Sequence, residues 1–114
     1  MVTNGFYSIV FGGAIGSGLG LIALQDGKLT GVDGGGGQYD GTYREDPATG
    51  TIALRLEVLI PAHMPLVTGA AARPTPWTLQ IETTLKPNFA GGLPISIATP
   101  SGPISVTFTL LRAL

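Results

Sequence analysis

The chain has 114 residues, a net charge of −1, and only 11% charged against 44% hydrophobic residues. This composition excludes a self-repelling disordered chain, and the near-neutral charge gives no electrostatic footprint for nucleic acid. The 18 Gly and 9 Pro residues disfavour a helical bundle, while zero Cys and a single His exclude disulfides, thiolate sites and multi-histidine metal sites.

Short apolar runs alternate with turn signals along the chain, which is typical of an all-β sandwich or barrel. The pattern predicts eight strands, at residues 6–11, 18–25, 28–32, 38–44, 51–60, 77–85, 95–98 and 104–112. Eight antiparallel strands can close into an up-and-down β-barrel whose interior is filled or holds one small ligand. We therefore predict a single barrel domain over residues 1–114, with a two-sheet sandwich as the alternative.

The segment at residues 6–24 has two interpretations. It is mostly apolar and close to the roughly 20 residues that span a bilayer, so a membrane helix is one of them. Its clustered glycines favour the other, two strands joined by a glycine turn. The first basic residue is Lys28, so the positive n-region of a signal peptide is missing. We expect no membrane span.

Three connections carry distinct signals. Asp26 and Gly27 between apolar runs predict a two-residue hairpin turn. Four consecutive glycines at 34–37 predict a mobile loop. Residues 61–76 contain four prolines and predict an unusually long connection, whose composition is compatible with a short helical turn at 68–72.

Residues that could carry catalysis are few. His63 has no serine or carboxylate beside it in sequence, which favours an ordinary loop residue over a general base. Asp33, next to the glycine loop, is more simply a turn residue than a catalytic acid. The glycine-rich segments lack the spacing of phosphate-binding loops. We predict no enzyme activity, no cofactor and no metal.

The inward positions of the strands hold candidates for an interior cavity. A filled core and a cavity that admits a small apolar ligand both fit these side chains. The candidates are Tyr7, Ile9, Phe11, Tyr39, Tyr43, Leu56, Trp77, Ile81 and Phe108.

The first half of the chain resembles the type III secretion system negative regulators of the GrlR type. Residues 5–11 read G-F-Y-S-I-V-F, and D-G, G-V-D and Y-D-G-T-Y follow at 26–27, 31–33 and 39–43. The resemblance implies a lipocalin-like, eight-stranded barrel that forms a homodimer. Such regulators bind a transcription activator and keep it from its DNA, so they need no basic surface of their own. The absence of Cys is compatible with the cytoplasm, where we expect the protein.

The resemblance also implies a contact site for the partner. The family's regulator uses a surface loop with four alternating acidic residues, of which the corresponding hairpin here keeps Glu45 and Asp46. A solvated turn is the alternative interpretation of this pair. Two functions stay open at this point: a non-enzymatic, dimeric protein-binding regulator with an exposed apolar patch outside the barrel, and a carrier of a small apolar molecule inside it.

Overall fold

The computed structural model describes residues 1–114. The chain is all-β, with eight strands and no helix. The strands are β1 (Gly5–Gly12), β2 (Ser17–Gln25), β3 (Lys28–Asp33), β4 (Gln38–Glu45), β5 (Ile52–Ile60), β6 (Trp77–Leu85), β7 (Ile95–Ile97) and β8 (Ile104–Ala113).

Every predicted strand is present, and no strand end differs from the prediction by more than one residue. Strand β1 is longer than predicted because Gly5 pairs with Leu24 and Gly12 pairs with Ser17. Glycine is a poor strand residue by propensity, but the ladder of the neighbouring strand recruits it at both ends. The alternation of apolar and polar residues therefore predicts where the strands are, while pairing with a neighbouring strand determines where each one ends.

The strands form one antiparallel sheet in the order β6-β5-β4-β3-β2-β1-β8-β7. The pairing of β1 with β8 joins the two ends of the chain and curls the sheet into a nearly closed barrel. Strand β7 pairs only with β8, so a seam remains between β6 and β7. The predicted eight-stranded antiparallel barrel is confirmed, and the sandwich alternative is excluded because a single sheet is present.

The segment at residues 6–24 is a β-hairpin, in which β1 and β2 pair over eight residue pairs. The expected absence of a membrane-spanning helix agrees with the structure, in which this segment and the rest of the chain form none. The next turn forms as the Asp-Gly pair predicts: both Asp26 and Gly27 have positive φ, at 50° and 84°. Strands β2 and β3 follow each other through this turn without a break in register.

The core consists of 18 buried side chains, all aliphatic or aromatic. Most stand at alternate positions of the strands, as the period of two requires. Strand β8 departs from this alternation at Leu110, which is 40% exposed although it pairs with the buried Tyr7. Just beyond this pair, between Phe6 and Tyr7, the register between β1 and β8 shifts.

Strands β1, β3, β5 and β7 all end at the same end of the barrel, which we call the upper end. The connection at residues 61–76, which we call the cap, lies across it. The cap contains no helical turn at 68–72. Instead, the N–H of Leu66 donates to the carbonyl of Ala70, and the N–H of Gly69 donates to the carbonyl of Leu66. Gly69 has a φ of 96°, which turns the chain back on itself and ends any helical path.

Candidate functional site

The barrel interior contains a cavity of about 110 Å³. Aliphatic and aromatic side chains make up almost all of its wall, and Asp33 is the only charged residue that lines it. Six of the nine residues proposed from the sequence line this space: Ile9, Phe11, Tyr39, Leu56, Ile81 and Phe108. The structure thus brings together side chains from β1, β4, β5, β6 and β8 around one apolar space.

The other three proposed residues lie elsewhere. Tyr7 is only 2% exposed and packs against Phe89, with ring centroids 5.8 Å apart. Tyr43 borders a separate, much smaller space of about 10 Å³. Trp77 stands at the upper end of β6, where the guanidinium of Arg73 lies 3.7 Å from the centre of its ring, and its buried indole N–H has no hydrogen-bond partner.

The ring of Phe89 is a core element that alternation did not reveal. It lies between β6 and β7, outside any strand, and is 6% exposed. Its ring also meets Phe108 edge to face, with centroids 5.4 Å apart. Phe89 thus fills the lower part of the barrel beside Tyr7, below the main cavity.

The cap forms the upper wall of the cavity. The side chains of Met64, Leu66 and Val67 line the cavity, and Leu66 is buried. The ends of the loop come together where the N–H of His63 donates to the carbonyl of Arg73 at 2.7 Å. Such a compact loop with close ends is an Ω-loop, a type that often carries function. The run of apolar residues at 64–67 was the signal in the sequence for this covering role.

The cap is held by its neighbours at the upper end. The N–H of Ile15, in the turn between β1 and β2, donates to the carbonyl of Val67 at 2.9 Å. The side chain of Met64 lies over Gly35 so closely that a Cβ there would collide with it. Both contacts join the cap to glycine-rich turns, where the lack of side chains lets it approach the barrel.

The glycine loop at 34–37, for which the sequence predicts mobility, is a compact turn held by hydrogen bonds. Oδ1 of Asp33 accepts hydrogen bonds from the N–H of Gly35 at 3.0 Å and of Gly37 at 2.9 Å. The N–H of Asp33 donates to the carbonyl of Gly37, and that of Gly36 donates to the carbonyl of Asp33. A short carboxylate side chain that accepts from nearby backbone N–H groups is a common way to fix a turn.

Tyr39 completes this group of polar atoms. Its hydroxyl donates to Oδ2 of Asp33 at 2.7 Å, and the residue is 9% exposed. Burial raises the pKa of Tyr39 well above the usual value, and the hydrogen bond to Asp33 and the charge of that carboxylate raise it further. The phenol therefore remains a donor to Asp33 at any pH near neutrality.

His63 is exposed and has a φ of 66°, which is uncommon for a residue other than glycine. No carboxylate lies within 4.0 Å of its ring. Its backbone N–H ties the ends of the cap, so its observed role is in the shape of that loop. No cluster of three or more His, Asp or Glu side chains could hold a metal ion.

The carboxylates of Glu45 and Asp46 are both engaged within the chain. Glu45 accepts a hydrogen bond from the N–H of Val2. Asp46 accepts one from the N–H of Ala48 at 2.9 Å, within its own turn. Neither contact depends on a partner, and both shape the lower end of the barrel.

The outer wall of the barrel has an uneven distribution of charge. Five apolar side chains on β1, β2 and β3 are between 38% and 60% exposed, and we call them the outer apolar face: Phe6, Val10, Leu19, Leu21 and Val32. They are contiguous because Val10 pairs with Leu19 and Leu21 pairs with Val32. Charged side chains instead occupy outward positions of β3 to β6: Lys28, Asp40, Arg44, Arg55, Glu57 and Glu82.

The fold and its interior define an all-β barrel protein with a small, capped apolar cavity. No protein-family model, curated protein or solved structure matches the chain. The resemblance to GrlR-type regulators therefore stays a prediction from the sequence.

Proposed function

We propose that the protein is a non-enzymatic interaction protein, a regulator similar to the GrlR type that acts in the cytoplasm as a homodimer and binds a transcription activator. The observation that carries this proposal is the outer apolar face. Contiguous exposed apolar patches on soluble proteins usually mark interaction sites. Here the patch lies on β1, β2 and β3, where the resemblance to the family is concentrated.

A second copy of the same chain is the occupant that best fits the outer apolar face. A twofold interface brings the same surface of both subunits together, so any charge on it faces its own kind. The outer apolar face itself carries no charge, and the neighbouring outward residues Ser8 and Thr107 are uncharged; Arg112, opposite Phe6, is a charged neighbour at the lower edge of the face. Self-association centred on Val10 and Leu19 buries apolar side chains and leaves Arg112 at the rim, where charges are screened.

The experiment is a measurement of molar mass by light scattering during size exclusion, for the wild type and two variants. Leu19→Lys places a charge in the centre of the outer apolar face. Thr78→Lys makes the same change in charge at an exposed outward position of β6, so it is the matched control. We expect dimers for the wild type and Thr78→Lys and monomers for Leu19→Lys. A monomeric wild type would contradict the dimer, and a dimeric Leu19→Lys would contradict its placement on the outer apolar face.

Binding of an activator has its own test. Affinity capture from the native cell with wild-type protein is expected to enrich a DNA-binding activator. The resemblance implies that Glu45 and Asp46 contact the partner, so we expect the double variant Glu45→Gln, Asp46→Asn to capture less of it. Capture of no DNA-binding protein would contradict the regulatory proposal while leaving the dimer intact.

The cavity supports a second candidate function, a carrier of a small apolar ligand. Its volume of about 110 Å³ is below the roughly 300–1,000 Å³ of drug-sized sites. It is similar to a cavity of about 150 Å³ that binds benzene in another protein. Ligands of about that size are therefore the ones to test.

A further inference from the structure

The chemistry of the cavity wall restricts what the cavity can bind. Nearly all of its lining is apolar, so a ligand must present an apolar body. Thr68 and Thr99 also belong to the wall. The hydroxyl of Thr99 donates to the carbonyl of Gly102, whereas that of Thr68 only accepts from the N–H of Ala70 at 3.4 Å and keeps its own O–H free. Asp33 is therefore the one charged group of the wall that can interact with a ligand.

Asp33 retains an acceptor site. A carboxylate has about four acceptor positions on its two oxygens. Oδ1 accepts from Gly35 and Gly37, and Oδ2 accepts from Tyr39, so three are occupied. The remaining position is on Oδ2, the oxygen that also holds the phenol of Tyr39, a residue that lines the cavity.

The charge of Asp33 has no cation beside it. The only ion pairs of the structure are formed by Glu45 and by Glu82, so no Lys, Arg or His nitrogen lies within 4.0 Å of Asp33. A negative charge beside an apolar space attracts a donor or a cation and repels an anion more strongly than it would in water. The site therefore discriminates by charge as well as by size.

We propose that the cavity binds a compact apolar molecule that ends in a hydrogen-bond donor, a hydroxyl or a protonated amine, and that the carboxylate of Asp33 receives this donor. The inference rests on the second candidate function. It excludes fatty acids and other carboxylates, because the ligand head would meet the unpaired charge of Asp33.

Four probes with one body and different heads test the proposal: toluene, benzyl alcohol, benzylamine and benzoate. Binding is followed by NMR on isoleucine methyl groups at neutral pH, where benzylamine is protonated and benzoate is ionised. Ile9, Ile97 and Ile104 line the cavity and are expected to shift. Ile15 is 66% exposed outside the cavity, so its methyl signal is the internal control.

We expect benzyl alcohol and benzylamine to bind about tenfold more tightly than toluene, since a hydrogen bond to a charged acceptor adds this much. Benzoate is expected to cause no saturable shift. Asp33→Asn keeps nearly the same shape and removes the charge. In this variant benzylamine should bind no more tightly than toluene, and benzoate should no longer be excluded. The affinity for toluene itself should not change.

The outcomes distinguish the carrier function from the role of Asp33. If toluene and all other probes leave the methyl signals of Ile9, Ile97 and Ile104 unchanged, the carrier function fails, and this inference with it. If toluene binds but the four affinities agree within about twofold, the carrier stands and the role of Asp33 is overturned. Preferred binding of benzoate would overturn it as well. The ranking on wild-type protein decides even if Asp33→Asn does not fold.

Discussion

The hydroxyl of Tyr39 and the carboxylate of Asp33 are joined by a hydrogen bond of 2.7 Å across the glycine loop. One end of this link is a buried phenol on the wall of the cavity, and the other is the residue that fixes the loop through Gly35 and Gly37. The pair thus connects the interior of the barrel to the shape of its upper end.

Asp33→Ala should destabilise the protein by about 2–3 kcal/mol, because it leaves two backbone N–H groups and the buried phenol of Tyr39 without an acceptor. Urea unfolding measures the change. Asp40→Ala is the control, since Asp40 is exposed on β4, directly opposite Glu57, and forms no ion pair. Its effect should stay within about 0.5 kcal/mol. Equal losses in the two variants would show that the acceptor role of Asp33 contributes little.

Tyr39 should make the stability of the fold sensitive to alkali. Its folded pKa is raised by burial and by Asp33, while the unfolded phenol titrates near about 10. The folded state then holds a proton that the unfolded state releases, so the contribution is complete below about pH 10 and declines as the pH rises above it. Each such group lowers the free energy of unfolding by up to about 1.4 kcal/mol per pH unit.

Tyr39→Phe removes this group and should flatten the decline of stability above about pH 10. The measurement is the urea midpoint at a series of alkaline pH values. Tyr7, whose pKa is also raised by burial and by Tyr43, remains in the variant, so part of the decline is expected to persist. Parallel curves for the wild type and Tyr39→Phe would refute the assignment to Tyr39.

Phe89→Ala should destabilise the barrel by about 3–5 kcal/mol, because it empties the space between Tyr7 and Phe108. Phe89→Leu keeps part of the volume and should lose less. Leu93→Ala, in the same connection but 71% exposed, is the matched control and should change the free energy of unfolding by less than about 0.5 kcal/mol. If Phe89→Ala were as stable as Leu93→Ala, the packing of Phe89 in the core would contribute little to stability.

Gly41→Ala should destabilise the sheet, since a Cβ there would collide with the backbone carbonyl of Arg55 on β5. The collision is with backbone, so relief requires the two strands to separate. Gly16→Ala has open space around its Cβ and no positive φ, so it should be neutral or stabilising by up to about 1 kcal/mol. Thermal unfolding of both variants tests the contrast, and a stable Gly41→Ala would show that β4 can move away from β5.

The sequence predicts whether a side chain points into or out of the barrel better than it predicts its position along the barrel axis. Alternation places Ile9, Tyr39 and Ile81 inward correctly, because the period of two is a local property of a strand. It places Tyr7 and Trp77 inward as well, but their distance along the barrel axis depends on the closure of the sheet, so one lies below the cavity and the other at its edge.

Other features depend on contacts distant in sequence and leave no local pattern. Phe89 stands alone in a loop, and its burial comes from Tyr7 and Phe108. The four glycines at 34–37 indicate flexibility when they are considered without Asp33, whose side chain supplies the acceptors that shape them. Leu110 is 40% exposed although it pairs with the buried Tyr7, and the alternation of β8 gives no sign of this.

The seam between β6 and β7 makes the barrel a curled ribbon with two free edges instead of a ring. Opening at this line breaks no ladder of hydrogen bonds, whereas opening anywhere else separates a full pair of strands. Amide protons of β6 that point away from β5 should therefore exchange with deuterium through small local fluctuations. Amide protons between β1 and β2 should exchange only when the whole molecule unfolds. One exchange experiment can therefore measure both the fastest and the slowest amide protons of the same sheet.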